Sequence, residues 1–195
     1  KIGKFTVGDN HPPLIIVELG INHNGNLDLA INMTDKAIDA GAEIIKHQTH
    51  IVEDEMSHEA DIDDIGYIGK TIFQLMKDCA LSEEEEYELM KYVHDLGGIF
   101  MSTPFSRAAA NRLEEFNVPA YKIASPEITD IPLIKKIAKT KKTIIISNGL
   151  ANLNDLDFRV FSQNGEDGIL DYLLYQLKIE KSKFLEIGVG DYSEA

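Results

Sequence analysis

Five short apolar runs recur along this chain, each ending in polar residues and each separated from the next by a segment of helical period. The first is Leu14-Ile15-Ile16-Val17, closing on Glu18. Then come Glu43 to Thr49 with Lys46 and Gln48, Ile99 to Pro104 with Ser102 and Thr103, Ala120 to Ser125 with Lys122, and Thr143 to Gly149 with Ser147 and Asn148. Runs this short and rich in β-branched residues read as strands, and the unbroken first one reads as buried on both faces. Glu18 then lies in or at the end of a buried strand and needs a partner. Apart from the acidic insertion after the second run, strand, helix, strand in steps of roughly 20–30 residues means repeated parallel right-handed crossovers. Two architectures accommodate that pattern. A doubly wound sheet carries a Gly-rich nucleotide loop after its first strand, and Asn22-His23-Asn24-Gly25 is not one. The reading is therefore α/β, a partial (β/α)8 TIM-type barrel of about five units, with the polar strand ends ringing one mouth.

The intervening segments carry their own start and stop signals. Leu27, Ala30, Ile31, Thr34, Ala37 and Ile38 form one stripe, stopped at Gly41. Ser82 and Glu85 form a capping box for a helix through Tyr87, Met90, Val93 and His94. Ser106 caps the next, and Asp130 with Pro132 opens another. Ile2, Phe5 and Val7 alternate as a short antiparallel arm would. Acidic residues crowd between Glu53 and Asp64, which reads as a long functional loop, with a helical turn at Ile72 to Met76. The run Glu83 to Glu86 reads as a solvated helix start favoured by the dipole.

A formal charge of -14 argues against general nucleic-acid binding. An anionic ligand would need locally placed lysines or backbone N–H groups. The single cysteine, Cys79, forms no disulfide framework and fits a reducing compartment, and no membrane-spanning run or signal peptide is visible. Cytoplasmic location is the expectation. His23 reads equally as a satisfied loop histidine, and His47 as facing the helix layer; neither makes a lone metal ligand. Glu18 could simply pair with Lys46 or Lys122. An inward lysine could also be a Schiff-base nucleophile, although two lysines beside hydroxyls fit anion binding better.

Four strand-end motifs carry a resemblance: Glu18-Leu19-Gly20-Ile21-Asn22-His23-Asn24-Gly25, Lys46-His47-Gln48-Thr49, Ser102-Thr103-Pro104-Phe105-Ser106 and Tyr121-Lys122-Ile123-Ala124-Ser125. In this order and spacing they resemble the sialic acid (N-acetylneuraminate) synthase family over about residues 1–152. The resemblance implies condensation of phosphoenolpyruvate with an N-acetylmannosamine-type sugar. C3 of phosphoenolpyruvate attacks the open-chain aldehyde, water adds at C2, and phosphate leaves by C–O cleavage. It implies a divalent metal, Mn or Mg, in the complete family, and a homodimer. It implies that Lys46, Thr103, Lys122, Ser125 and Ser147 bind phosphoenolpyruvate and that Glu18 is catalytic. Ser147-Asn148-Gly149 stands where the family reads Ser-Thr-Gly, and Tyr67 where many members carry a sugar-contacting Asn. A related nonulosonic acid such as legionaminic acid is therefore also a fitting product.

Residues 153–195 read differently. Phe184 to Asp191 contains Glu186-x-Gly188-x-Gly190 after an apolar run, which resembles the first cofactor motif of an S-adenosylmethionine-dependent methyltransferase, a Rossmann-like helix–strand fragment. The expected division is a synthase-like half barrel over 1–152 and a methyltransferase-like fragment over 153–195, joined by a fusion or rearrangement near 152–159. The later family strands that carry two metal-binding histidines are then missing. A chain so built is expected not to catalyse the condensation alone and to expose inward apolar residues. The alternatives are a non-catalytic fragment that at most binds phosphoenolpyruvate, and a methyltransferase remnant.

Overall fold

The computed structural model describes residues 1–8, 10–62 and 69–147. Tyr67, Asn148, the boundary near residue 152 and the Glu186, Gly188 and Gly190 motif lie outside the described residues. Five parallel strands form one sheet: β1 (Ile16–Gly20), β2 (Ile44–Thr49), β3 (Ile99–Pro104), β4 (Ala120–Ile123) and β5 (Thr143–Ile146). Their spatial order is β1-β2-β3-β4-β5, the same as their order along the chain. A doubly wound sheet reverses direction at a switch point, whereas barrel strands follow one another round an arc. The sheet is thus the first part of a β/α barrel. Helices α1 (Leu27–Asp39), α2 (Val52–Glu55), α3 (Ile72–Cys79), α4 (Glu83–Asp95), α5 (Arg107–Glu115) and α6 (Ile131–Lys139) lie between the strands.

The expected caps are present. Ser82 and Glu85 make the capping box of α4, Ser106 accepts from the Ala109 N–H, and Asp130 accepts from the Leu133 N–H. At the other ends, Gly41, Gly97 and Asn117 sit at positive φ after α1, α4 and α5. Each lets its own amide and the next one bond back into the last helical turn, a Schellman closure that satisfies carbonyls otherwise orphaned. Another capping box, Thr71 with Gln74, makes Ile72 to Cys79 a full helix rather than the single turn expected. The acidic stretch is likewise more ordered than a loop. Its carboxylates serve as caps and pair partners: Asp54 accepts from the Ala108 N–H at the start of α5, 2.9 Å away, and Glu53 meets Lys77 at 2.6 Å.

Alternation along the strands divides the core in two. Ile45, Phe100, Tyr121 and Ile123 face the helices and pack with Ala30, Leu89, Val93, Leu113 and Leu133. Ile44, Ile99, Met101, Ala120 and Ile145 face the other way and are covered by Ile2, Phe5, Leu14 and Ile16. The lead-in therefore plugs the inner face, and the expectation of exposed inward apolar residues fails there: Ile44 and Met101 are fully buried. The arm reduces to one antiparallel bridge, Ile2 with Phe5, and Val7 stays exposed. The first strand also departs from expectation. Burial on both faces belongs to β2 and β3, whereas β1 lies at the end of the strand order with Ile15 half exposed.

Gly25, at the turn into α1, has φ +71°, and a methyl group there would lie 2.2 Å from the Asp78 carbonyl oxygen. Gly41 has φ +98° with open space around it. Gly41→Ala should cost about 1 kcal/mol, from the backbone alone. Gly25→Ala should cost about 3 kcal/mol or more, since the loop must also leave α3. Equilibrium urea unfolding of the two variants checks the difference, and equal losses would mean that the loop does not pack on α3.

Candidate active site

Parallel register puts like-facing residues side by side. Glu18 pairs with Lys46 and Gln48 with Thr103, while Lys46 aligns with Met101. Ser102 aligns with Tyr121, so Thr103 and Lys122 share the inner face. Above the apolar plug this face turns polar, with Glu18, Lys46, Gln48, Thr103 and Lys122 at the C-terminal ends of the strands. That is where barrel enzymes place their chemistry.

The contacts join most of the expected residues. The Lys46 ammonium is ion-paired with Glu18 and donates to Thr103 Oγ1 at 3.2 Å. Burial lowers the Lys46 pKa, and the Glu18 carboxylate works against that. Lys122 donates to Ser147 Oγ and, at 3.0 Å, to the Ile123 carbonyl. Ser125 stands off this row: it is exposed and opens the 3-10 turn Pro126–Thr129. Glu18 is not the buried acid its strand implied. Its side chain is 48% exposed, because it projects at the mouth of an outer strand. Gly20, at φ +58°, keeps the mouth open beside it; a methyl group there would lie 3.4 Å from Glu18 Oε1 and 3.6 Å from Asn22 Nδ2.

A second cluster escaped the sequence reading. His50 stacks on Phe105 with centroids 4.3 Å apart. Its Nδ1 is 2.8 Å from Glu55 Oε2 and its Nε2 is 3.3 Å from Gln48 Oε1. Glu127 feels the same cluster: burial, then the charges of Asp130 and Glu55, push its carboxyl up to about 7, and His50 pulls the other way. The available signals were the alternation Lys46, Gln48, His50, which continues the inner face, and the position of Glu127 just after β4.

Behind the sheet, the reading of the acidic run needs correction. Glu86 is not a solvated helix start; it is 1% exposed. It lies on the buried stripe of α4 with Leu89, Met90 and Val93, at helical spacing. Its carboxylate takes His47 Nδ1 at 3.0 Å, Thr49 Oγ1, and Arg112 at 3.2 Å. Burial alone would raise its pKa, but these contacts outweigh burial and hold it below the usual range. His47 faces the helix layer and His23 is a satisfied loop histidine, their Nε2 atoms 3.1 Å apart. Among the described residues, no three His, Cys, Asp or Glu side chains come together to hold a metal ion. No described helix is long and apolar enough to cross a membrane.

Known proteins resemble this arrangement in sequence and in fold. An uncharacterised protein of Methanocaldococcus jannaschii is 38% identical over 85% of this chain and 47% of its own length. The N,N'-diacetyllegionaminic acid synthase of Campylobacter jejuni is 36% identical over 78% of this chain and 47% of its own. The chain thus spans about half the length of these curated relatives. A crystal structure of N-acetylneuraminic acid (sialic acid) synthetase from Leptospira borgpetersenii, in complex with citrate, superposes with a TM-score of 0.72 at 28% identity. That superposition covers 91% of this chain and 55% of the other. The profile of the NeuB family matches residues 33–173, most of the chain and past Asn152. With its strand-end motifs on one inner face of a barrel arc, the chain belongs to the NeuB family.

Proposed function

We propose that this chain supplies the phosphoenolpyruvate side of a cytoplasmic synthase that joins phosphoenolpyruvate to an N-acetylmannosamine-type sugar, forming sialic acid or a related nonulosonic acid. The observation that carries this reading is the placement of Lys46 and Lys122 on one inner face, with Thr103 and Ser147 bonded to them. In a chain of net charge -14, this is where a compact trianion finds cations. The named products of the relatives support the same class.

Lys46 and Lys122 hold the phosphate and carboxylate by charge-assisted bonds, strengthened where water is excluded. Ligand phosphate competes with Glu18 for Lys46, so binding frees the Glu18 carboxylate toward the sugar. Thr103 and Ser147 orient the ammonium groups. Glu127 is suited to pass a proton at neutral pH, because a carboxyl near pKa 7 both donates and accepts there. It serves the aldehyde oxygen as C3 bonds to the sugar carbon, while water at C2 and C–O cleavage release phosphate.

Phosphoenolpyruvate titrated calorimetrically into the full chain should bind. Lys46→Met and Lys122→Met should each weaken binding about tenfold or more, with the thermal midpoint held within a few degrees. Undiminished affinity in either variant would assign that lysine a structural role. Glu127 makes a separate prediction through linkage. Its folded pKa is raised, so the unfolded state is the better acid, and the folded state loses stability as pH rises from about 4.5 through about 7. Glu127→Gln removes that loss. After allowing for solvent screening, it should be more stable than the parent by about 1–2 kcal/mol at pH 8 and nearly equal at pH 5. Denaturant midpoints at the two pH values check this; the same difference at both would mean an ordinary carboxylate.

A further inference from the structure

The polar chain behind the sheet has only one consistent direction. The Gly25 N–H donates to His23 Nδ1 at 3.2 Å. A backbone amide is always a donor, so Nδ1 carries no hydrogen, and His23 bears its proton on Nε2. That proton faces His47 Nε2, 3.1 Å away, which accepts, and the Gly20 backbone also bonds the His23 ring. His47 therefore bears its proton on Nδ1 and donates to Glu86 Oε1 at 3.0 Å. Thr49 donates to the same carboxylate, so the Ser102 hydroxyl, 2.7 Å from Thr49 Oγ1, donates to Thr49. Arg112 completes the acceptor from α5 at 3.2 Å. Burial and the neighbouring His47 push His23 down to about 4, which keeps its Nδ1 open to the amide at neutral pH.

We propose that Glu86 is a positioning residue: through His47 and His23 it sets both imidazole tautomers and so holds the β1–α1 loop, residues 21–26, beside the mouth of the site. Turn bonds shape the loop from within, from the Asn22, Asn24 and Asn26 amides to the Leu19, Ile21 and His23 carbonyls, and two further contacts bear on its seat. Asn22 Nδ2 bonds the Leu19 carbonyl at 2.9 Å, and Gly25 presses on the Asp78 carbonyl. Glu86 is 39 residues from His47 and stands on the far side of the sheet from Glu18 and Lys46. Apolar residues at 47 and 86 would fill the same layer without desolvating a carboxylate, a substitution that is often neutral or stabilising. The network therefore specifies an arrangement rather than adding net stability. What it specifies is the path of Asn22, whose amide lies against the Gly20 turn next to Glu18. The inference depends on contacts behind the sheet and holds whether or not phosphoenolpyruvate binds in front of it.

The test is multiple-bond proton–nitrogen NMR of the nitrogen-15-labelled full chain at pH 7, with hydrogen exchange at the Gly25 amide. His23 should appear as the Nε2–H tautomer and His47 as the Nδ1–H tautomer, the less common form of a free imidazole. Glu86→Gln keeps an acceptor and should retain both tautomers, with Gly25 protection within about threefold of the parent. Glu86→Leu removes the acceptor; His47 should then show mixed tautomers, and the Gly25 amide should exchange at least about tenfold faster, while β3 amides stay protected. If Glu86→Leu does not fold, His47→Phe takes its place, with the same loss at Gly25 expected because His23 loses its acceptor. An Nε2–H tautomer for His47 in the parent chain would overturn the proposal without any variant. So would unchanged Gly25 exchange in the folded variant.

Discussion

Alternation of side chains along two fully paired strands is the constraint on which everything else here rests. In β2, residues 44, 46 and 48 face inward and residues 45, 47 and 49 face the helices. A one-residue slip against β3 would exchange the two sets. Lys46 would then enter the layer beside Glu86, and His47 would enter the inner face. Isoleucines at 44 and 45, both fully buried, make either face apolar at the bottom. The register is therefore decided higher up. Lys46 finds Glu18 and Thr103, and His47 finds Glu86, only in the register observed. Polar residues thus do for this strand what apolar patterning does for a one-sided sheet.

The two acids that meet β2 show how environment separates like groups. Glu18 is half exposed, so water shares its charge and its pairing with Lys46 is open to exchange with a ligand. Glu86 is sealed between sheet and helix, and three donors, two from β2 and one from α5, fix it there. The first is suited to a site that must change state, the second to one that must not. Arg112 is only partly satisfied by this arrangement: its Nη1 reaches Glu86, but its Nε is buried without a hydrogen-bond partner, 3.7 Å from Glu83.

Much of this was legible in the chain because it is written locally. The caps at Ser82, Ser106 and Asp130 sit next to the residues they bind, and the strand ends carry the lysines at the expected spacing. The shared face of Lys46, Thr103 and Lys122 follows from alternation once the strands are known. Glu86 was misread because a run of four acids invites a reading by composition, whereas its spacing to Leu89, Met90 and Val93 places it inside. For Glu127 the chain offered only its position just after β4, not its raised pKa. Its proton affinity comes first from burial and then from the charges of Asp130 and Glu55, and both the burial and the approach of Glu55 exist only once the chain has folded. The capping box at Thr71 was hidden by the acidic density before it.

The plug on the inner face bears on how the chain acquires its structure during synthesis. Ile2 and Phe5 leave the ribosome well before their seat, which is assembled from Ile44, Ile99, Ala120 and Ile145. The Thr143 hydroxyl reaches the Lys1 carbonyl across 142 positions. The lead-in must therefore wait, unpaired, until the fifth strand emerges. Contacts closing over such a span are slow, because the loop entropy is spent before they form. During that interval the inner isoleucines and the unclaimed Ile2 and Phe5 are sticky surface in the nascent chain. A chaperone that shields Ile2 and Phe5, or a slow stretch of translation placed after residue 146, would act on this step.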